Sequence, residues 1–172
     1  MEIRPPVCDE ELRGAICAHG LAWREAYEGI VPGELLAAMT VDASAEDVRE
    51  WTDRIDEDRG QFFVAIKEET GHVLGYAYVR WSETKAFVEE GEAGLKEIYV
   101  HPEHWGEGVG TALLEESIDC LPEEITALKL EVFAGNERGR AFYEARGFEQ
   151  VGEDEIEMAG TLYPTRHYGR QL

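Results

Sequence analysis

The sequence predicts a single α/β domain in which helices cover both faces of one mixed sheet. Its 172 residues fit one domain with a core of ordinary size. Hydrophobic residues make up 44% of the chain and charged residues 31%, which is typical of a globular protein. Helical patterns come first, then a hairpin, and then strands that alternate with helices. This order favours a sheet with helices on both sides.

The first third of the chain is predicted to be mostly helical. Apolar residues recur at helical spacing after Asp9 and again after Ser44, whose pairing with Asp47 resembles a capping box. The predicted elements are a strand over residues 2–4, helices over 9–28 and 32–39, and a helix that begins at Ser44 and includes Val48, Trp51 and Ile55.

From Gln61 onwards the pattern changes to strands. The segments 61–67 and 73–81 flank a turn that contains Gly71, which predicts a β-hairpin. Pro102, Pro122 and Gly147 mark the ends of the elements that precede them. The predicted elements are strands over 95–100 and 126–133, helices over 108–120 and 137–146, and a closing hairpin after them.

The net charge excludes some partners. Acidic residues outnumber basic ones 37 to 16, a formal charge of -21. This balance argues against a nucleic-acid partner and against an anionic membrane surface. The acids are dispersed and lysines are few, which favours a halophilic protein whose self-repulsion is screened by salt over an ordinary acidic protein.

Cysteine and histidine give no sign of a metal site. The three cysteines form no C-x-x-C pair, so neither a disulfide framework nor a thiolate zinc site is indicated. His101 and His104 lack a third candidate ligand, so a packing role is favoured. The sequence shows neither a signal peptide nor an apolar run long enough to span a bilayer, and we expect a cytoplasmic location.

A glycine-rich turn between a strand and a helix is the most informative motif. Gly106, Gly108 and Gly110 leave the backbone open to a ligand, and the following helix offers unpaired N–H groups. Such a turn suits a phosphate or diphosphate. A Walker loop is disfavoured because no lysine precedes Thr111, and a Rossmann fingerprint is disfavoured because the spacing is G-x-G-x-G. A glycine turn without a ligand stays open as the structural alternative.

Two motifs together resemble the GCN5-related N-acetyltransferase (GNAT) family. The segment from Val100 to Leu114 resembles the acetyl-coenzyme A loop of that family, and residues 130–148 resemble its late motif at Asn136, Tyr143, Gly147 and Phe148. The resemblance covers most of the chain. It implies a mostly antiparallel sheet that splays between strands 4 and 5, and direct transfer of an acetyl group from acetyl-CoA to a primary amine.

The resemblance also implies which residues contact acetyl-CoA. A backbone N–H near the end of the strand 98–100 would bind the oxyanion, and Tyr143 would protonate the leaving thiolate. Trp105 and Glu107 depart from the family's usual Gln or Arg and Lys or Arg, which predicts weaker side-chain contacts with the diphosphate. The residues assigned to coenzyme binding are Ile98, Tyr99, Val100, Trp105, Gly106, Glu107, Gly108, Val109, Gly110, Thr111, Asn136, Arg138, Arg140 and Tyr143.

The general base is left open among three candidates. Glu131 ranks first, because its place twelve residues before Tyr143 resembles the proposed base of the ribosomal-protein N-terminal acetyltransferases. Glu97 is the competitor, on the strand that would carry the oxyanion donor. An ordered chain of water molecules is the third. Tyr27 and Trp81 are placed at the acceptor pocket, because each lies near the end of its element.

The expected partner is a small-molecule or peptide amine, and the expected assembly is a monomer or homodimer. Two other functions compete with the enzyme. One is a non-catalytic acyl-CoA sensor or interaction module of the same fold, because positions 94 and 96 lack an acid. The other is a nucleotide oxidoreductase, which would bind nicotinamide. For Arg138 and Arg140, an ion pair on the acidic surface competes with a contact to the coenzyme's phosphates.

Overall fold

A seven-stranded mixed sheet forms the centre of the molecule, as the sequence predicts. The computed structural model describes residues 1–57, 60–82 and 84–172. Within them the strand order is β1-β2-β3-β4-β5-β7-β6, and each neighbouring pair is antiparallel except β4 and β5. The strands are β1 Glu2–Arg4, β2 Gly60–Lys67, β3 His72–Arg80, β4 Glu92–Val100, β5 Ala127–Phe133, β6 Glu149–Met158 and β7 Thr161–Gln171.

The helices lie on both faces of the sheet, close to the predicted positions. The capping box is present, since the Asp47 N–H donates to the Ser44 hydroxyl over 3.1 Å and the Ser44 N–H donates to the Asp47 carboxylate over 2.7 Å. Gly147 follows the last helix with a φ of 83°, a left-handed conformation that favours glycine. The helices are α1 Asp9–Ala26, α2 Gly33–Ala37, α3 Ala45–Glu57, α4 Val109–Asp119 and α5 Glu137–Glu144, with a 3-10 turn over Pro102–His104.

Strand alternation divides the core between the two faces. Tyr76 and Tyr78 of β3 pack with α1 and α3, whereas Ala77 and Val79 face α4. On β5, Leu130 belongs to the α4 side. The same alternation places Glu131 on the α1 side, because successive side chains point to opposite faces.

The parallel pair β4 and β5 separates soon after it forms. Glu92, Ala93 and Gly94 pair with residues 127–129, and within the described chain no ladder pair joins the two strands beyond Gly94. The first three residues of β4 precede the predicted strand because their pairing comes from distant β5, which a local pattern does not reveal. The diverging strands open a cleft at the carboxyl end of β4.

Candidate active site

A cavity of about 640 Å³ fills the cleft between β4 and β5. Its walls come from both faces of the sheet. Residues of α4, α5 and the glycine loop line one side, which we call the donor side. Residues of α1 and the α1-facing side chains of β4 and β5 line the other, which we call the acceptor side. A ligand in the cavity would therefore touch both faces of the sheet.

The glycine loop presents backbone donors to the donor side. Gly106 and Gly108 have φ angles of 83° and 85°, and a side chain at either position would enter open space. The first helical hydrogen bond of α4 runs from the Ala112 N–H to the Gly108 carbonyl. The N–H groups of residues 109–111 thus precede any intrahelical partner and form a positive helix end. This arrangement fits a diphosphate such as that of acetyl-CoA.

Trp105 fixes this loop to the end of β4. Its indole N–H donates to the Val100 carbonyl over 2.7 Å, and the Arg138 guanidinium lies 4.4 Å from the centre of its ring. Both side chains line the cavity. Glu107 is instead exposed beside His104, 3.0 Å from its Nδ1, and does not line the cavity among the described residues. Trp105 therefore supplies an aromatic ring on which Arg138 packs, where the family usually has Gln or Arg.

Arg146 is a site residue that the sequence interpretation missed. Its Nε donates to the Thr111 hydroxyl over 3.1 Å, and its guanidinium lies 3.7 Å from the centre of the Phe142 ring. Arg146 lines the cavity and places a cation beside the start of α4. Its position three residues after Tyr143, one helical turn on, is the sequence signal that could have found it.

Tyr143 faces the donor side from α5. It is buried, and burial raises the pKa of its hydroxyl above the usual value, so the group stays protonated. Within the part of the chain that the structure describes, no protein group hydrogen-bonds this hydroxyl. Ile98 and Val100 line the cavity at the end of β4. Tyr143 thus lines the cavity with a hydroxyl that stays protonated.

Glu97 lies on the acceptor side, and Tyr76 and Arg54 both contact its carboxylate. The Tyr76 hydroxyl donates to Glu97 Oε2 over 2.8 Å, and Arg54 Nη2 lies 3.4 Å from the same oxygen. Tyr76 in turn contacts His19 Nδ1 at 2.7 Å. The Glu97 side chain is 14% exposed. Both contacts engage Oε2, which leaves Oε1 for a substrate.

Glu131 also lines the acceptor side, but its carboxylate is more fully engaged. Lys85 pairs with Oε1, while Thr165 and His167 contact Oε2 at 2.7 and 3.2 Å. Burial raises the pKa of Glu131, but the hydrogen bonds from Lys85, Thr165 and His167 outweigh it and hold the pKa below its ordinary value. Such a carboxylate remains ionised and is a weak proton acceptor.

Aromatic side chains form the remainder of the acceptor side. The hydroxyls of Tyr27 and Tyr99 are 3.1 Å apart, and burial raises the pKa of both. The ring of Tyr27 lies 4.6 Å from that of Trp23 and 4.9 Å from that of Phe133, centre to centre. All four line the cavity. Tyr27 therefore lines the cavity, and its contact with an acceptor stays a prediction.

Besides Glu107, two other residues assigned to the site, Trp81 and Arg140, are not among the described residues that line the cavity. Trp81 packs against the main core. The strand register pairs its neighbour Arg80 with Gly94, so Trp81 lies far from the carboxyl end of β4. Arg140 donates to the Tyr168 hydroxyl at 3.2 Å and to the Ala134 carbonyl at 3.1 Å. Asn136 lines the cavity, and its side chain also caps α5 by accepting from the Gly139 N–H at 2.9 Å.

The described residues offer neither a cluster of metal ligands nor a membrane-spanning helix. Among the described residues, no three His, Cys, Asp or Glu side chains come together as a possible metal site. The rings of His101 and His104 are 5.7 Å apart. None of the described helices combines the length and apolar character that crossing a bilayer requires.

Known proteins share this architecture. PaiA N-acetyltransferase from Thermoplasma acidophilum, solved in complex with coenzyme A, superposes with a TM-score of 0.72 at 21% identity, covering 99% of this chain and 98% of that one. Ribosomal-protein-alanine N-acetyltransferase from Brucella melitensis gives a TM-score of 0.73 at 22% identity over the whole of both chains. These two likenesses show the fold.

Sequence comparison extends the relationship. The [ribosomal protein bS18]-alanine N-acetyltransferase of Escherichia coli (strain K12) is 40% identical over 75 residues, which cover 43% of this chain and 47% of that protein. The match thus spans about half of the relative's length. The sequence profile of the acetyltransferase (GNAT) family matches residues 20–148. Because that match spans most of the sequence, together with the glycine loop and Tyr143, the chain belongs to the GNAT family of acetyltransferases.

Proposed function

We propose that this protein is an N-acetyltransferase that moves an acetyl group from acetyl-CoA to a primary amine within a ternary complex. The observation that carries the proposal is the cleft between β4 and β5, which joins a backbone anion site to a buried tyrosine and a carboxylate in one cavity. The relatives described above are named N-acetyltransferases, which favours the enzyme over a non-catalytic sensor.

The donor side supplies the binding groups. The N–H groups of residues 109–111 would hold the diphosphate, with Arg146 and Arg138 as nearby cations. Acetyl-CoA supplies the activated acetyl thioester. Among the described residues that line the cavity there is no cysteine or serine. This lining favours direct attack of the amine on the thioester, without an acyl-enzyme intermediate.

Proton transfer is assigned to one residue on each side. An amine that reaches the cavity as an ammonium must lose a proton before it attacks. Glu97 accepts that proton on Oε1, because Tyr76 and Arg54 engage only Oε2. Tyr143 donates its hydroxyl proton to the departing sulfur, and its raised pKa keeps that proton available. We thus place Glu97 ahead of Glu131, whose two oxygens are both occupied.

Thiol release from acetyl-CoA in the presence of a mixed panel of amines tests the proposal. We expect amine-dependent release, a kcat reduced about 100-fold in Tyr143→Phe, and coenzyme A binding within a few fold of wild type. Thermal stabilisation by coenzyme A measures the binding separately. Stabilisation without release from any amine would identify the sensor. Stabilisation by nicotinamide dinucleotides alone would identify the oxidoreductase.

We also propose that the enzyme works in a salt-rich cytoplasm. The formal charge of -21 supports this, because concentrated salt screens the repulsion among the acids. The three cysteines are free thiols, as in a reducing compartment. We expect stability and thiol release to increase between 0.1 M and 2 M KCl. Loss of activity over that range would contradict the halophilic assignment.

A further inference from the structure

The acceptor side combines one partly open carboxylate with a set of neutral aromatic rings. Glu97 lines this surface, and both contacts that its carboxylate makes with described residues end on Oε2. Trp23, Tyr27 and Phe133 supply rings that pack edge to face with one another, and the Tyr99 ring is tilted against that of Trp23. A half-buried carboxylate and aromatic faces are groups that recognise an ammonium carried on an apolar body.

The cations near this surface are already engaged. Arg54 contacts Glu97, and Lys85 is paired with Glu131. The Lys96 ammonium lies 5.0 Å from the centre of the Tyr78 ring. A carboxylate on the substrate would meet Glu97 and Glu131, whose side chains are 14% and 10% exposed. Repulsion between charges of the same sign is strong where solvent is scarce.

We propose that the acceptor is a primary amine on an apolar or aromatic body with no carboxylate beside the nitrogen. The ammonium binds Glu97 Oε1, and the apolar body packs on Trp23, Tyr27 and Phe133. This inference rests on the proposed N-acetyltransferase function and deepens it. The chemical step is unchanged: the ammonium gives one proton to Glu97 and the nitrogen forms the N–C bond to the acetyl carbon. The C–S bond then breaks as the sulfur takes the Tyr143 proton, and the second proton on the nitrogen restores the Tyr143 hydroxyl.

A matched pair of acceptors tests the role of the carboxylate. 2-Phenylethylamine and L-phenylalanine share the ring and the amine and differ by one carboxylate, and L-phenylalanine amide removes its charge. We expect kcat/KM for 2-phenylethylamine to exceed that for phenylalanine by about 30-fold. The amide should recover part of the loss. Isoamylamine and leucine repeat the comparison without an aromatic ring.

The assays are run in 1 M KCl, where the Debye length is about 3 Å, so that the protein's long-range charge does not favour the amine. Phe133→Ala should raise the KM for 2-phenylethylamine about tenfold, because it removes ring contact from the apolar body. Tyr168→Phe is the control, since it removes a buried hydroxyl that does not line the cavity.

Each outcome decides between the two proposals. Equal or better use of phenylalanine or leucine would overturn the acceptor class while the acetyltransferase proposal stands. Acetylation of an alanine-starting peptide with none of the small amines would do the same, in favour of a polypeptide acceptor. Absence of thiol release with every acceptor, despite binding of coenzyme A, would overturn the proposed function itself.

Discussion

The two sides of the cavity are built from different kinds of groups. On the donor side, the free backbone N–H groups belong to one continuous segment, residues 109–111, directly after the glycine turn. On the acceptor side, side chains from α1, β4 and β5 converge across long distances in the sequence. The donor side therefore has a geometry that glycine spacing dictates, whereas the acceptor side depends on strand register and packing.

This difference predicts how each side tolerates substitution. A backbone donor is lost only when the loop changes shape or a side chain fills its space. A side-chain acceptor is lost when a single atom changes. We therefore expect isosteric changes to act most strongly at the acceptor-side carboxylates, and changes of volume to act most strongly at the glycine loop.

The largest effect is expected at Glu97. Glu97→Gln removes the proton acceptor with little change in shape, so kcat/KM should fall about 100-fold or more. Glu131→Gln should lower kcat/KM less than about tenfold and act mainly on stability, because that carboxylate is held by Lys85, Thr165 and His167. Steady-state thiol release with one amine compares the two variants. If Glu131→Gln lowered kcat/KM more than Glu97→Gln, Glu131 would be the general base.

The next effect is expected at Gly108. A valine there places its side chain where the diphosphate would lie, and coenzyme A affinity should fall about 100-fold. Gly71→Val is the matched control, because Gly71 also has a positive φ of 73° and open space around it but lies in the β2–β3 turn. Both variants bear similar backbone strain. Isothermal titration measures the coenzyme A affinity of both variants. An equal loss of affinity in the two would show that the glycine loop does not bind the coenzyme.

A smaller effect is expected at Tyr76, which supports Glu97 from behind. Tyr76→Phe removes the hydrogen bond that holds Glu97 Oε2, so the carboxylate is less well oriented toward the amine. We expect kcat to fall about tenfold while KM stays within a few fold of wild type. Tyr168→Phe, with its hydroxyl 2.7 Å from Glu144, provides the control. An unchanged kcat would show that Tyr76 is structural alone.

The smallest effect on turnover is expected at His19, whose influence is mainly on stability. Burial lowers its pKa to about 4, whereas the unfolded chain regains an ordinary value near 6.5. The unfolded state thus binds more protons between these values, and stability should fall by about 3 kcal/mol as pH drops from 6.5 to 4. His19→Asn, which keeps a donor near the Nδ1 position, should flatten this loss.

Urea unfolding at several pH values measures the contribution of His19. The exposed His72 provides the control, because His72→Asn should leave the slope unchanged. A slope that persists in His19→Asn would assign the acid sensitivity to other groups. Above about pH 5.5 the lowered pKa of Glu131 adds little to the slope, because the unfolded glutamate, with an ordinary pKa of 4.5, is then ionised as well.

The fold was predictable from the sequence because its signals are local. Helical spacing after Asp9, the capping box at Ser44 and the glycine after α5 each act within one or two turns. The glycine turn at the start of α4 was predictable for the same reason. The splay of β4 and β5 came from the family resemblance, since no local pattern encodes where two strands separate.

The acceptor side was less predictable because register decides it. The β3–β4 register pairs Tyr76 with Tyr99 and Tyr78 with Glu97, and an irregularity between Tyr78 and Val79 shifts the pairing that follows. These pairings place the Tyr76 hydroxyl on Glu97. They also carry Trp81 toward Gly94, although its position at a strand end pointed to the pocket. Lys85, which engages Glu131, belongs to a loop without any recognisable motif.

A crystal structure with coenzyme A bound tests the central claim most directly. We predict that the diphosphate accepts hydrogen bonds from the N–H groups of residues 109–111, that the pantetheine arm runs between β4 and β5, and that the sulfur lies within hydrogen-bond distance of the Tyr143 hydroxyl. A coenzyme whose diphosphate lies away from this loop, or whose sulfur points away from Tyr143 and Glu97, would contradict the account.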